Sequence, residues 1–268
     1  MQWMWIVILL GYTFCVMQSI LALTARRAVL KKTAVASLII AFGTHTGWII
    51  AESIRTGQCP LVGTQEIPAF LSWLLLLSYL VVQRWYRAGA LSAFVLPIVL
   101  VLATVGAISP SSPEPTGIRN RPLENILLPV HVGIILLSYA AFFIAFGAGL
   151  MYMFQERELR SKRFGRLFYR LPSLDSCDLI SARSMAAGFV LLTVGILVGF
   201  LYSRARFGVY WQGGPLEIFS VVTWSLYLIL IQSRMSANWR GRAAAMASII
   251  SFLIVICSLV GVRYLGHA

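Results

Sequence analysis

The sequence predicts an all-α fold: a polytopic membrane helix bundle of about eight transmembrane helices, with both termini on the outer, periplasmic side. Three observations carry that prediction. Of the 268 residues, 59% are hydrophobic and only 12% charged, with a mean hydropathy of +0.83. No soluble core of this length buries so much apolar side chain. Eight apolar stretches come near the ~20 residues that span a bilayer. Finally, the basic residues crowd into alternate loops, which sets an orientation.

The stretches run at about 3–23, 34–54, 67–83, 90–108, 127–153, 184–203, 217–232 and 243–262. The first has no basic segment before it and no small-residue cleavage site, so it reads as a helix that is kept. The seventh is short and opens on Glu217. Loops 24–33, 84–89, 154–183 and 233–242 hold sixteen of the 22 Lys and Arg residues. These loops are expected to be cytoplasmic. The formal charge of +13 is therefore a matter of topology and of attraction to membrane lipid. Nucleic acid is not expected as a partner.

The longest cytoplasmic piece, about 154–183, places Leu159, Phe164, Leu167 and Phe168 among arginines at roughly helical spacing. It reads as a short interfacial helix, after which Ser173 to Asp178 form a turn and cap into the sixth span. The proline-rich outer loop 109–117 reads as irregular. Glycines inside the spans, among them Gly147, Gly149, Gly195 and Gly199, suit close helix packing. Cys15, Cys59, Cys177 and Cys257 are scattered, with no metal-binding spacing.

Ionisable residues in or beside a membrane are costly and mark candidate sites. The chain has three histidines. His45 lies mid-span in Gly43-Thr-His-Thr-Gly47, His131 opens the fifth span on the outer side, and His267 ends the chain on the same side. Between the sixth and seventh spans stands an outer aromatic segment at about 204–217, with Tyr210, Trp211 and Glu217, followed by Trp224. An aromatic shelf flanked by two imidazoles suits a flat, partly charged ligand, and haem is the leading candidate. Neutral imidazole is a common axial ligand of haem iron, aromatics pack on a macrocycle, and Arg119, Arg121, Arg204 or Arg206 could meet its propionates. Each residue also has a plainer reading. A mid-membrane histidine serves equally as a helix–helix hydrogen bond, and interfacial tryptophans and tyrosines commonly anchor a protein at the headgroups.

The order of short segments resembles the cytochrome c assembly protein family. Phe207-Gly-Val-Tyr-Trp-Gln-Gly-Gly-Pro-Leu-Glu217 followed by Trp224 is similar to that family's tryptophan-rich loop. So are Ser53 to Leu61 with Glu66 and Leu71-Ser-Trp73, His131 to Tyr139, Leu171 to Asp175, Arg183 to Gly188, Trp239 to Ala243 and Gly261 to Leu265. Within the family the likeness is to HemX-like proteins and to the haem-handling subunit of the system II cytochrome c synthase. The chain departs from the family pattern at Phe207, Gly213 and Gly214. It departs again at Gln232, where a second intramembrane histidine is expected.

The resemblance implies a single integral-membrane assembly domain over residues 1–268, in the cytoplasmic (inner) membrane. It implies haem b as a transported or transferred ligand. His131 and His267 would be the axial ligands of its iron, and His45 a ligand of a transmembrane haem. Tyr210, Trp211, Glu217 and Trp224 would line the outer site. The implied partners are a second synthase membrane subunit and apocytochrome c. At most the chain would be a non-classical subunit of a haem-attachment complex, with no catalytic residue of its own. The alternative is a HemX-like regulator or scaffold that acts on haem or tetrapyrrole synthesis through the basic segment 154–170.

Overall fold

In the computed structural model, residues 1, 25–27, 58, 60, 62–64, 111–121, 163, 164, 166, 167, 237, 238 and 266–268 fall outside the described structure, and residues 2, 23–24, 28–32, 122–125 and 258–265 are described by backbone alone. The described residues form eight α-helices and one 3-10 turn: α1 (Gln2–Thr24), α2 (Ala28–Thr56), α3 (Glu66–Tyr86), the 3-10 turn Gly89–Leu91, α4 (Ser92–Ile108), α5 (Pro122–Ser161), α6 (Leu174–Phe207), α7 (Pro215–Ser236) and α8 (Arg242–Leu265). Seven of them are long and apolar enough to cross a membrane, and the described side chains of α8 add a shorter apolar run to Cys257. The chain is a multi-pass membrane bundle. Many large apolar side chains, such as Ile54, Val190 and Leu197, face outward where lipid would cover them.

The helices gather in two compact units. One comprises residues 1–115 and 157–173, the other 116–156 and 174–268. In the first unit α1 packs on α2 and α4, and α3 on α4. Without a hydrophobic drive between helices in lipid, such packing needs close approach and a few polar ties. A Cβ on Gly11 would sit 3.5 Å from the Ala41 side chain, and one on Gly106 only 3.1 Å from Ala69. Trp73 donates from Nε1 to Thr46 Oγ1 at 2.8 Å while its ring stacks on Phe42, which ties α3 to α2. Arg170 donates to the Ala22 carbonyl at the end of α1.

In the second unit, α7 packs on α6 and α8, and α6 on α8. Phe142 of α5 stacks flat on Tyr227 of α7, with centroids 3.6 Å apart, while Phe143 and Phe146 meet Phe252 of α8. Asp178 near the start of α6 takes the Arg234 guanidinium of α7 and the Gly241 amide. The position of Asp175 in the first turn of α6, with Arg204 and Arg206 in its last, suits the helix dipole.

One expectation from the sequence needs correction, and another needs refinement. The segment 154–183 is not a separate interfacial helix. Its first residues extend α5 to Ser161, its last begin α6 at Leu174, and the described residues between them are turns and irregular backbone. Apolar residues at helical spacing among arginines suit the ends of long helices as well as an isolated one. The fifth apolar span begins at Ile126, close to the expected 127, but helix α5 starts a turn earlier, at Pro122, a residue suited to a first helical position. His131 therefore lies about two and a half turns into α5 rather than at its mouth.

Candidate functional site

The α6–α7 connection is short. Helix α6 runs to Phe207 and α7 begins at Pro215, so only residues 208–214 of the expected 204–217 loop are irregular. Gly208 ends α6 in the left-handed region, at φ +79°, with its amide on the Arg204 carbonyl at 3.0 Å. This is a glycine cap, where a side chain would be strained. At the other end Glu217, in the first turn of α7, reaches back over the loop. Its Oε2 accepts the Gln212 and Gly213 amides at 2.9 and 2.8 Å. Glu217 reaches back as the acid of a capping box does, but meets the two amides before the N-cap, and so fixes the loop from within the helix.

Between these clamps Tyr210 and Trp211 stand out, 56% and 43% exposed. The Arg204 guanidinium lies over the Tyr210 ring, 5.4 Å from its centroid. Trp211 meets Phe200 edge to face at 6.1 Å. Gln212 donates to Ser203 Oγ at 3.3 Å. The shelf is thus held on the last two turns of α6.

His131 of α5 lies against the same stretch of α6. Its Nδ1 is 2.7 Å from the Gly195 carbonyl. A carbonyl only accepts, so Nδ1 carries the proton and Nε2 the lone pair. No bond engages Nε2 among the described residues. The ring also rests on Gly199, where a Cβ would come within 2.7 Å of Cε1 and 2.9 Å of Nδ1. His131 and Trp211 thereby touch neighbouring residues of one turn, Gly199 and Phe200.

The other expected residues are placed differently. Trp224 lies nine residues into α7, about 14 Å along its axis from Pro215. It donates to Thr193 Oγ1 at 2.9 Å and stacks on Phe189, so it ties α7 to α6 away from the loop. Gln232 donates to Ser236 one turn on. His267, with Arg119 and Arg121, lies outside the described residues.

His45 belongs to the first unit and is fully buried. Its Nδ1 is 2.7 Å from Tyr12 Oη, and Trp5, Tyr12 and Trp48 surround the ring with centroids 5.7–5.9 Å away. Nε2 and both indole Nε1 atoms have no hydrogen-bond partner among the described residues. When Tyr12 donates, the His45 proton sits on Nε2. For Nε2 to ligate, the proton must move to Nδ1 and Tyr12 must accept. The Gly195 carbonyl imposes that arrangement on His131, whereas the Tyr12 hydroxyl allows His45 either one.

Comparison with known proteins places the chain. The family model for cytochrome C assembly protein matches residues 61–268. The chain belongs to the cytochrome c assembly protein family. Relatives include cytochrome c biogenesis protein CcsA of Prochlorococcus marinus (strain NATL1A), 27% identical over 82% of this chain and 78% of its own. The protein of the same name from Guillardia theta is 26% identical over 86% of this chain and 82% of its own, and that of Parasynechococcus marenigrum is 25% identical over 88% and 85%. The family match takes in His131, the loop, Trp224 and His267, but begins after His45.

Sequence reasoning missed the partners of the histidines. Gly195 and Gly199 stood out only as packing residues, although their i,i+4 spacing puts both on one face of α6. Tyr12 gave no signal, since only the pairing of α1 with α2 brings it to His45.

Proposed function

We propose that this protein holds haem b at the outer face of the cytoplasmic membrane during cytochrome c maturation, and presents it towards apocytochrome c with a second membrane subunit. Haem is cargo here. The observation that carries the reading is His131: a main-chain carbonyl holds Nδ1, Nε2 keeps its lone pair, and Trp211 of the loop meets Phe200, the residue after Gly199. Metal-bound histidines commonly have this partner pattern. His131 would ligate the iron on one side and His267 on the other. Tyr210 and Trp211 would contact the macrocycle, with Arg204 and Arg206 near its carboxylates.

Glu217 serves by shaping the loop, and Trp224 by fixing α7 to α6 deeper in the bundle. His45 would be a ligand of a second, intramembrane haem, engaged once its proton shifts towards Tyr12. When bound, the haem supplies the vinyl groups that thiols of an apocytochrome attack. The protein's contribution is positioning. The relatives named for cytochrome c biogenesis favour this reading over a HemX-like regulator.

The test is the pigment of the purified protein after expression with haem supplied. We expect a reduced, low-spin spectrum typical of two nitrogen ligands, largely lost in His131→Ala. Protein that takes up no haem under these conditions would sink the proposal.

A further inference from the structure

We propose that Gly199 is a positioning residue for His131, acting together with the Gly195 carbonyl. The inference rests on His131 being the outer ligand and concerns what fixes its ring. Nδ1 is 2.7 Å from the Gly195 oxygen, which permits only the tautomer with Nδ1 protonated. In water the other tautomer is ordinarily the more populated, so the protein must impose this one. It does so by bringing α5 close to α6. The ring lies where a Gly199 side chain would be, since an added Cβ would stand 2.7 Å from Cε1, 2.9 Å from Nδ1 and 3.5 Å from Nε2.

Any residue larger than glycine pushes the imidazole off α6 and breaks the bond to Gly195. Other close-packed glycines on α6 differ in what they face. Gly188 abuts Phe142, with an added Cβ at 2.6 Å from its ring, and Gly195 abuts the Ile135 side chain at 2.6 Å. Overpacking at Gly188 strains an apolar contact two turns away and leaves the His131 proton alone, whereas bulk at Gly195 would move the accepting carbonyl itself. At Gly199 the missing side chain leaves the room that the His131 ring itself occupies.

The test begins without haem. Protein labelled with nitrogen-15 histidine and purified in detergent gives three imidazole signals, and His131→Asn assigns one of them. We expect that signal to report protonated Nδ1 in the wild type and a shift to protonated Nε2 in Gly199→Ala, with Gly188→Ala unchanged. With haem supplied, Gly199→Ala should bind about 10–100-fold more weakly, the usual cost of losing the partner that orients a ligating histidine. A wild-type His131 protonated at Nε2 would overturn the inference even if Gly199→Ala failed to fold. It is also overturned if Gly199→Ala keeps the wild-type signal, or if Gly188→Ala moves the signal equally. Failure of wild-type protein to take up haem, with the tautomer pattern as expected, would count against the haem proposal alone.

Discussion

Two of the three histidines are held by opposite kinds of partner. His131 meets a carbonyl, which can only accept, whereas His45 meets a phenol, which can do either. The Tyr12–His45 bond lies inside the membrane-spanning part of α1 and α2, where no water replaces it. Tyr12→Phe should therefore lower stability, measured by thermal unfolding in detergent, by about 1–2 kcal/mol. That range lies above the average for polar pairs in membranes because Nδ1 would join Nε2 in being unsatisfied. A Tyr12→Phe, His45→Leu double variant should recover part of the loss. Equal stability for Tyr12→Phe and the wild type would show that the bond contributes nothing.

At the scale of elements, the α6–α7 connection is set by three residues. Gly208 and Gly213 take φ of +79° and +74°, and Glu217 accepts the amides of Gln212 and Gly213. Glu217→Ala should free the Gln212 and Gly213 amides, so hydrogen exchange there should rise at least tenfold while that of α7 beyond its first turn stays unchanged. Gly213 and Gly214 are where the loop departs from the tryptophan-rich pattern it resembles. Gly213→Trp should cost about 1–2 kcal/mol, the ordinary penalty for a side chain in the left-handed region. Gly214→Asp should stabilise by a few tenths of a kcal/mol, because Gly214 stands at the N-cap of α7, before Pro215, with open space around it. Hydropathy made the spans legible, and motif order made the loop legible. The loop's real length was not legible, because Arg204 and Arg206 are polar yet helical. Nor was the extent of α5, whose last turns are charged: they leave the apolar zone while the helix continues.

For the whole molecule, topology governs which surface meets which compartment. The placement of basic residues predicts that the 57–65 connection is an outer one. Cys59 lies there with its thiol exposed, while Cys15 and Cys177 are buried. Partial burial pushes the Cys59 thiol above its ordinary pKa. The reactive thiolate is thus scarce at neutral pH and grows as pH rises. A membrane-impermeant maleimide added to intact cells should label Cys59, faster at pH 8.5 than at pH 7. Labelling only after the membrane is opened would reverse the orientation. The histidine sites divide between the two units, His45 in one and His131 in the other. A sequence read by spans cannot reveal that division, since it arises from which helices pack together.

The carbonyl of Gly195 has a consequence for how this protein tolerates change. Its oxygen belongs to the main chain and is present whatever residue occupies the position. A survey that replaces side chains one at a time cannot delete it. The survey would register this partner of His131 only indirectly, as an aversion to bulk at a neighbouring glycine that carries no chemistry of its own. Functional groups of this kind leave their trace in the size of residues nearby rather than in their identity.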